Sequence, residues 1–356
     1  MKITIRKNVD LSQLTTMKIG GRAAYFTEIE SSKQLEEALA WASSQKIPYY
    51  ILGGGSNTIF DDGLFKGLVL SMNIKGIETV KDMPDASIIS IGAGEDWDEA
   101  VARVVEMGLW GIEALSGIPG KTGAAPYQNI GAYGQEIKDT LDTIKAYDTS
   151  SRKLVTLSNA ECKFGYRDSI FKSGQKGRYI ITHVLFKLSK KPLGMPGYKD
   201  IINYFAAENI TKPSLLQIRE AVLKIRSKKF VNPSIVPNSG SFFKNPTVDS
   251  STARKLMKKF PDVKPFPEDN KIFPLEDGKF KIAAGWLLQT LGYKGKDFGK
   301  IRIDPNHALV LGNHNNASQK DLLAVIDQIQ SDVDAHYGIW LEPEPVIVKF
   351  KDLVIK

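Results

Sequence analysis

The feature that most restricts the fold is a strand-like segment that leads directly into three consecutive glycines. Residues 47–52 have the apolar character of a short buried strand, and Gly53, Gly54, Gly55, Ser56 and Asn57 follow. Glycines in this place let backbone N–H groups approach a bulky ligand such as a pyrophosphate, although a flexible turn is the plain alternative. The dinucleotide fingerprint G-x-G-x-x-G is absent, since Thr58 stands where its third glycine should fall. The sequence therefore predicts a dinucleotide site, if one exists, without a Rossmann turn.

A second glycine-rich segment spans residues 117–134. It carries five glycines and two prolines in 18 residues, yet it also contains apolar residues and lies between regular elements. Long ordered loops inside a domain usually have a function, and small residues let the backbone approach a flat ligand. A packed connection between subdomains is the alternative.

A third irregular segment runs from Asn238 to Pro246. It places a hydroxyl among small residues, then two phenylalanines, and it closes on a lysine, an asparagine and a proline. Such a segment is a poor helix and an awkward long strand. It is either a loop that presents polar groups to a ligand or a surface turn that its two phenylalanines anchor in the core.

Length and charge limit the remaining possibilities. A chain of 356 residues is long for one core, so we expect two or three packed units. The net charge of +8 favours anionic partners, but the lysines form no basic stripe. Phosphorylated small molecules therefore fit better than nucleic acid.

The location and metal content also follow from composition. No apolar run reaches the roughly 20 residues of a membrane span, and the N-terminus lacks a signal peptide's apolar centre. We expect a cytoplasmic protein, without membrane association and monomeric, in which the lone Cys162 forms no internal disulfide. The four histidines lack metal-ligand spacing, so no metal site is predicted.

Periodicity predicts mixed helices and strands. Strand patterns cover 1–7, 47–52, 86–93, 143–148, 179–186 and 345–355, and helical patterns cover 31–45, 96–107, 198–207, 214–228, 250–259, 281–291 and 317–336.

Seven segments, in order, resemble the UDP-N-acetylenolpyruvoylglucosamine reductase family over nearly the whole chain. Any single glycine loop would be weak evidence for the family, but seven matching segments in the same order are specific for it. They are Thr15–Gly21, Gly53–Asn57, Gly117–Gly134, Tyr166–Lys172, Gly240–Pro246, Ala284–Leu287 and Leu341–Glu344.

The resemblance implies an α+β fold. A two-subdomain FAD-binding part of the vanillyl-alcohol-oxidase type would be joined by a separate α+β substrate-binding domain. The first subdomain would take residues 1–72 with a C-terminal strand at 345–356, the second 73–229 with a lid insertion near 190–205, and the substrate domain 230–344. The FAD contacts implied are Gly53, Gly54, Gly55, Ser56, Asn57, Gly117, Gly120, Gly123, Gln128, Asn129, Gly131 and Ala132.

The reaction that the resemblance implies is the NADPH-dependent reduction of UDP-N-acetylglucosamine enolpyruvate to UDP-N-acetylmuramate through FAD. Arg167 would hold the substrate carboxylate and Ser241 would donate the proton. Glu344 would share the developing charge or orient the site, and Glu342 is its competitor. The plain alternatives are a surface arginine and a solvated glutamate pair.

Contacts to the UDP-sugar are assigned by the same resemblance to Tyr166, Tyr198, Lys229 and Asn245, with Tyr198 as a lid residue. Gln289 departs from the family, where an acidic residue is frequent at this position. A different chemistry on the same fold is also open, namely an FAD oxidase that acts on another alcohol or sugar. Such an oxidase would use oxygen and would not need a proton donor at Ser241.

Overall fold

The computed structural model describes residues 3–261, 263–266 and 271–354. Its first part is a mixed sheet around the strand Leu64–Met72, which pairs in parallel with the strands on both sides. Leu68, Val69 and Leu70 are fully buried in succession, because both faces of this strand are covered. In order across the sheet, the four strands are Arg6–Asp10, Arg22–Ile29, Leu64–Met72 and Tyr49–Leu52.

The helix Ser32–Ser44 covers one face of this sheet. Ser31 caps its start, since the Ser31 hydroxyl accepts a hydrogen bond from the Gln34 amide. Leu35 and Ala38 are fully buried in a core that also contains Leu68. The predicted helix over residues 31–45 is confirmed to within a residue at each end.

The second part of the chain is an antiparallel five-stranded sheet with helices packed against it. Its largest core holds Trp97, Phe186, Phe205 and Ile218. The helices are Trp97–Glu106, Ile137–Thr140, Lys199–Ala207 and Leu215–Lys229. In sheet order the strands are Lys153–Ser158, Leu141–Asp148, Tyr179–Ser189, Ala86–Gly92 and Ile77–Asp82.

The third part packs short strands and three helices around a core of their own. Phe242 and Phe243 of the loop Asn238–Pro246 are buried in this core, so the phenylalanine pair does anchor the loop. The helices are Ser250–Lys259, Ala284–Thr290 and Gln319–Tyr337. The strands are Thr247–Val248, Phe280–Ile282 and Ile272–Pro274 in one sheet and Ile301–Ile303 and Leu311–Asn313 in another.

Short elements complete the described chain. The strand Val346–Val348 pairs in parallel with Thr58–Phe60, and Gly131–Ala132 forms a hairpin with Gln135–Glu136. Single helical turns of 3₁₀ type occupy Ser12–Leu14, Glu113–Leu115, Thr122–Ala124, Pro126–Gln128, Ala160–Cys162 and Phe350–Asp352, and a π-helical turn occupies Ile170–Gly174.

Several predicted elements have different bounds, and strand pairing explains three of the differences. Residues 1 and 2 of the predicted strand 1–7 lie outside the described chain, and the strand begins at Arg6, where it can pair with Phe26. The last strand ends at Val348 because its partner Thr58–Phe60 is only three residues long, and residue 355 lies outside the described chain. The helix predicted over 281–291 starts at Ala284, because residues 280–282 pair in a sheet instead.

The domain boundaries at residues 72, 229 and 344 remain predictions. Met17, Ile19 and Ile59 from the first part pack into the core of the third part. Asn313 also donates a hydrogen bond to the Met17 carbonyl at 3.0 Å. The parts are therefore joined by buried contacts and not only by the chain.

Candidate active site

The two glycine loops meet each other in the structure. Ser56 donates its hydroxyl to the Pro119 carbonyl at 2.8 Å. A Cβ added to Gly54 would lie 2.9 Å from the Gly120 Cα, and one added to Gly53 would lie 3.1 Å from the Ala124 Cβ. These glycines are therefore needed for the close approach of one protein loop to another, whereas the sequence pattern alone suggested the approach of a ligand.

The same loop keeps backbone donors free. The amide N–H groups of Gly54, Gly55 and Ser56 form no hydrogen bond with another residue of the described ranges. Neighbouring unpaired amides in an irregular turn form a concave anion site. Backbone N–H groups in folded proteins are rarely left without a hydrogen-bond partner, so these three amides are available to a ligand. The loop therefore suits the pyrophosphate of FAD, and its three amides would hold that group.

Gly55 is the most constrained glycine of this loop, and its replacement by alanine is expected to abolish FAD binding. Its φ is +66°, and an added Cβ would lie 1.9 Å from the Leu14 carbonyl oxygen. We expect Gly55→Ala to cost about 2 kcal/mol or more in the free energy of unfolding, because both the backbone conformation and the contact oppose a side chain. FAD content after purification and a urea titration measure the two effects.

Gly63→Ala is the matched control, because a Cβ at Gly63 meets no atom within 4 Å. This variant is expected to keep its FAD and its unfolding midpoint. If Gly55→Ala were as stable and as yellow as Gly63→Ala, the loop would not be the pyrophosphate site.

The segment 117–134 begins at a partly buried charged contact. Gly117, with φ +71°, donates its amide to the Asp98 carboxylate at 2.6 Å. Asp98 also pairs with Arg219 through two hydrogen bonds of 2.6 and 3.0 Å. Further along, Gly123 donates to the Ala93 carbonyl at 2.9 Å, and a Cβ there would lie 2.5 Å from the Ala93 Cβ. The loop is thus fixed to the helices and sheet of the second part.

Burial alone would raise the pKa of Asp98, but Arg219 and the Gly117 amide outweigh it and hold that pKa below its usual value. A lowered pKa means that the pair stabilises the fold above about pH 4, and that this contribution is lost as the pH falls below it. We expect Asp98→Asn to cost about 1–3 kcal/mol at pH 7. Urea unfolding should show that the difference in unfolding free energy between Asp98→Asn and the wild type is smaller at about pH 3.5 than at pH 7.

Asp82→Asn serves as the control for Asp98→Asn, because Asp82 pairs with Lys190 at the exposed surface. Exposed pairs contribute little to stability, so we expect Asp82→Asn to behave like the wild type. A cost of Asp98→Asn that did not change between neutral and acidic pH would contradict the ionic origin of this contribution.

The residues Asn129 to Ala132 contact other parts of the protein, Asn129 through its side chain and Gly131 and Ala132 through a hairpin. The buried Asn129 donates to Glu136 at 2.9 Å and to the Gly165 carbonyl at 3.0 Å, and it accepts from the Lys138 amide at 3.1 Å. Its side chain is therefore committed to protein contacts. Gly131 and Ala132 form the short hairpin strand, and their contact with FAD, like that of Asn129, stays a prediction.

Arg167 occupies a tight turn in a left-handed conformation. Gly165 and Asp168 close the turn by hydrogen bonds in both directions, and Arg167 has φ +52°. A non-glycine residue in this conformation costs of order 1 kcal/mol and is frequent at functional sites. The guanidinium donates to the Gly131 carbonyl at 2.9 Å and lies over the Tyr166 ring at 5.3 Å.

Arg167 and Glu344 lie side by side. The Arg167 Nε is 3.3 Å from the Glu344 Oε1, and each side chain is 18% exposed. The Nε–H is nevertheless not aimed at that oxygen, and this buried nitrogen has no hydrogen-bond partner among the described residues. A partly buried guanidinium whose buried Nε–H is unpaired suits a ligand that carries a carboxylate.

The loop Asn238–Pro246 brings Ser241 to the same place. Phe242 accepts a hydrogen bond from the Glu344 amide at 2.8 Å, and Phe243 pairs with Pro343. On its other side Ser241 pairs with Val310. The segments of Arg167, Ser241 and Glu344, which are far apart in sequence, therefore converge. Glu342 instead pairs with Lys244 at 2.8 Å.

Two lysines near this site were missed by sequence reasoning. Lys172 donates to Gln128 at 3.2 Å and to the Arg167 carbonyl at 3.1 Å, and burial together with Lys244 lowers the pKa of Lys172 to about 8. The Lys281 ammonium lies 4.9 Å from the centre of the Tyr166 ring. Burial lowers the pKa of Lys281 as well. Lys172 closes the Tyr166–Lys172 motif, which was the available signal for it.

The residues assigned to the UDP end are more scattered. Tyr198 precedes the helix Lys199–Ala207 and touches Tyr133 edge to face at 5.3 Å. Lys229 lies 3.7 Å from Asp200 of that helix. The Asn245 side chain accepts from the Ala284 amide at 3.0 Å. Within the described residues no hydrogen bond or ion pair joins Asn245 to Lys229 or Tyr198, so their grouping stays a prediction.

Membrane spans and metal centres are two other classes of site. Of the helices within the described ranges, none combines the length and the apolar character that a membrane crossing requires. The described His, Cys, Asp and Glu side chains form no group of three that could hold a metal ion.

Gln289 is exposed near the end of the helix Ala284–Thr290.

Comparison with known proteins agrees with this geometry. Residues 23–157 match the FAD binding domain family, and residues 232–348 match the C-terminal domain of UDP-N-acetylenolpyruvoylglucosamine reductase. A solved structure of the reductase from Thermus caldophilus superposes with a TM-score of 0.68 at 22% identity and covers 98% of this chain and 100% of its own. The predicted fold, an FAD-binding part with a separate α+β domain, is confirmed.

Full-length relatives share more sequence. The UDP-N-acetylenolpyruvoylglucosamine reductase of Chromobacterium violaceum is 38% identical over 349 residues, which is 98% of this chain and 100% of the relative. That of Pseudomonas aeruginosa is 36% identical over 345 residues, or 97% of this chain and 99% of the relative. The chain therefore belongs to the UDP-N-acetylenolpyruvoylglucosamine reductase family and is an FAD-binding oxidoreductase.

Proposed function

We propose that the protein reduces UDP-N-acetylglucosamine enolpyruvate to UDP-N-acetylmuramate, a peptidoglycan precursor, with NADPH as the source of hydride. The observation that carries this proposal is the convergence of Arg167, Glu344 and the segment of Ser241 beside the hairpin that follows Gln128. When bound, FAD supplies hydride transfer from NADPH to the terminal carbon of the enolpyruvyl group. The residues of this chain then have to manage charge and a proton.

Arg167 is proposed to hold the substrate carboxylate. Hydride addition to the terminal carbon leaves negative charge on the neighbouring carbon, and that charge is delocalised into the attached carboxylate. A cation fixed beside the carboxylate therefore stabilises the transition state more than the ground state. The unpaired Nε–H of Arg167 and the planar shape of its guanidinium suit this task.

Ser241 is proposed to complete the reaction by transferring its hydroxyl proton to the carbon beside the carboxylate. The carbon–carbon double bond is then fully reduced, and the new C–H bonds contain one hydride from NADPH and one proton from the protein. Solvent returns a proton to the serine. Glu344 shares the charge of the enolate or orients the site.

Anion binding is proposed for the cations around this centre. Lys281 lies over the same Tyr166 ring as Arg167, Lys244 pairs with Glu342, and Lys229 lies near Tyr198 through Asp200. They are suited to a substrate with one carboxylate and two phosphate groups. Tyr166, Tyr198 and Asn245 are proposed as further substrate contacts, and Tyr198 as the lid.

Product analysis tests this proposal against the oxidase alternative. Purified holoenzyme, NADPH and the enolpyruvyl substrate should consume NADPH and form a product two hydrogen masses heavier in a ratio of one to one, without uptake of oxygen. Oxygen uptake with no change in the mass of the substrate would refute the reductase proposal. A cytoplasmic location and a monomeric state stay predictions from the sequence.

A further inference from the structure

The side chain of Gln128 links Glu344, which pairs with Arg167, to Asn57 and Lys172. Its Nε2 donates to the Glu344 Oε1 at 2.9 Å. Its Oε1 accepts from the Asn57 Nδ2 at 2.9 Å and from the Lys172 Nζ at 3.2 Å. Gln128 is 7% exposed, so Glu344, Asn57 and Lys172 are its main hydrogen-bonding partners. The FAD contact predicted for Gln128 does not account for this arrangement.

The surrounding donors allow only one orientation of the Gln128 amide. An ammonium group can only donate hydrogen bonds, so the atom of Gln128 that faces Lys172 must be its oxygen. Asn57 also requires the oxygen of Gln128 to face it. The Nδ2 of Asn57 donates to the Glu344 carbonyl at 3.3 Å and must therefore be the NH₂ group. A flipped Gln128 would set its NH₂ against two donors. The Nε2 of Gln128 must consequently point to Glu344 as a donor.

This orientation distinguishes the two oxygens of Glu344. Oε1 lies between the Gln128 Nε2 at 2.9 Å and the Arg167 Nε at 3.3 Å. An oxygen that accepts one N–H and lies against a guanidinium cannot also carry a proton toward these groups. Oε2 accepts no hydrogen bond from any residue in the described ranges. A proton or a substrate contact at Glu344 is therefore directed to Oε2.

We propose that Gln128, held in one orientation by Asn57 and Lys172, is a positioning residue that turns the Oε2 of Glu344 toward the substrate. Lys172 supports both members of the pair, because the same ammonium also donates to the Arg167 carbonyl at 3.1 Å. Gln128 and Lys172 act through Glu344 and Arg167 and do not take part in the bond changes. The inference rests on the proposed function, since it concerns how Glu344 serves that reaction.

The test compares Gln128→Met, Lys172→Met, Lys172→Arg and the double variant Gln128→Met/Lys172→Met as holoenzymes. Stopped-flow absorbance separates flavin reduction by NADPH from flavin reoxidation by the enolpyruvyl substrate. Gln34→Met is the matched control, since Gln34 is also a buried glutamine that accepts a hydrogen bond, in its case from the Glu30 amide at 2.7 Å. FAD content and the substrate dissociation constant are measured for each variant.

We expect Gln128→Met and Lys172→Met to slow reoxidation by about tenfold or more, since a misplaced catalytic group loses its geometry. Flavin reduction, FAD content and substrate affinity should change by less than about threefold. The double variant should be no slower than Gln128→Met, because the two residues act as one unit. Lys172→Arg should recover most of the rate, and Gln34→Met should match the wild type.

Three results would overturn the inference. Equal loss in both half-reactions, or loss of FAD, would make Gln128 a flavin contact or a structural residue. Additive losses in the double variant would separate Lys172 from Gln128. Unchanged reoxidation in Gln128→Met would remove its positioning role. Failure of the proposed function looks different, because the reduced wild type itself would then not be reoxidised by the enolpyruvyl substrate.

Discussion

Ser241→Ala is expected to leave flavin reduction by NADPH within about twofold of the wild type and to slow reoxidation by the enolpyruvyl substrate by about 10²–10⁴. The first half-reaction needs no proton from the protein at the substrate carbon, whereas the second needs a donor held at that carbon. Ser241 lies one residue before Phe242, whose carbonyl accepts the Glu344 amide. Stopped-flow absorbance of the flavin measures both rates in one instrument.

Ser239→Ala is the natural control for this prediction. Ser239 lies in the same loop, and its buried hydroxyl has no hydrogen-bond partner in the described part of the chain. Its removal is expected to leave both half-reactions unchanged. Equal slowing of flavin reduction and reoxidation in Ser241→Ala would show that this serine maintains the loop and does not supply the proton.

Arg167→Lys is expected to lower the rate of reoxidation by about 10²–10³, or about 3–4 kcal/mol of transition-state stabilisation. Lysine keeps the charge but loses the planar pair of N–H groups that orients a carboxylate. It also loses the hydrogen bond to the Gly131 carbonyl at 2.9 Å. Flavin reduction by NADPH should change much less, because that step does not involve the substrate carboxylate.

Arg178→Lys provides the comparison, since Arg178 also makes two hydrogen bonds to a carboxylate, that of Asp148, both at 3.0 Å. Asp148 ends the strand Leu141–Asp148 of the second sheet, and Arg178 directly precedes the neighbouring strand Tyr179–Ser189. We expect Arg178→Lys to turn over like the wild type. If Arg167→Lys kept most of its reoxidation rate, charge alone would suffice, and the planar shape of the guanidinium would not be required.

The sequence predicted most helices because their signals are local. Ser31, Ser214 and Asp249 cap three helices by accepting amide hydrogen bonds, and apolar residues recur at helical spacing after each. The strands at the chain ends and at Phe280–Ile282 were less predictable. Their length depends on partners such as Thr58–Phe60 and Ile272–Pro274, which are known only once the chain is folded.

The site shows the same division. Motif resemblance predicted Arg167, Ser241 and Glu344, and the structure brings their segments together. It could not identify the link from Lys172 through Gln128 to Glu344, because that link spans distant parts of the chain and depends on the direction of one amide. Nor could it show that Gly54 faces Gly120 backbone. Spacing along a sequence carries no information about such contacts.

The most direct test of the central claim is an anaerobic absorbance experiment on the purified protein. We predict a yellow protein that bleaches with NADPH and regains its colour when the enolpyruvyl substrate is added in the absence of oxygen. Recolouring by oxygen but not by the substrate would contradict the reductase account and favour an oxidase. A colourless protein that binds no added FAD would contradict both.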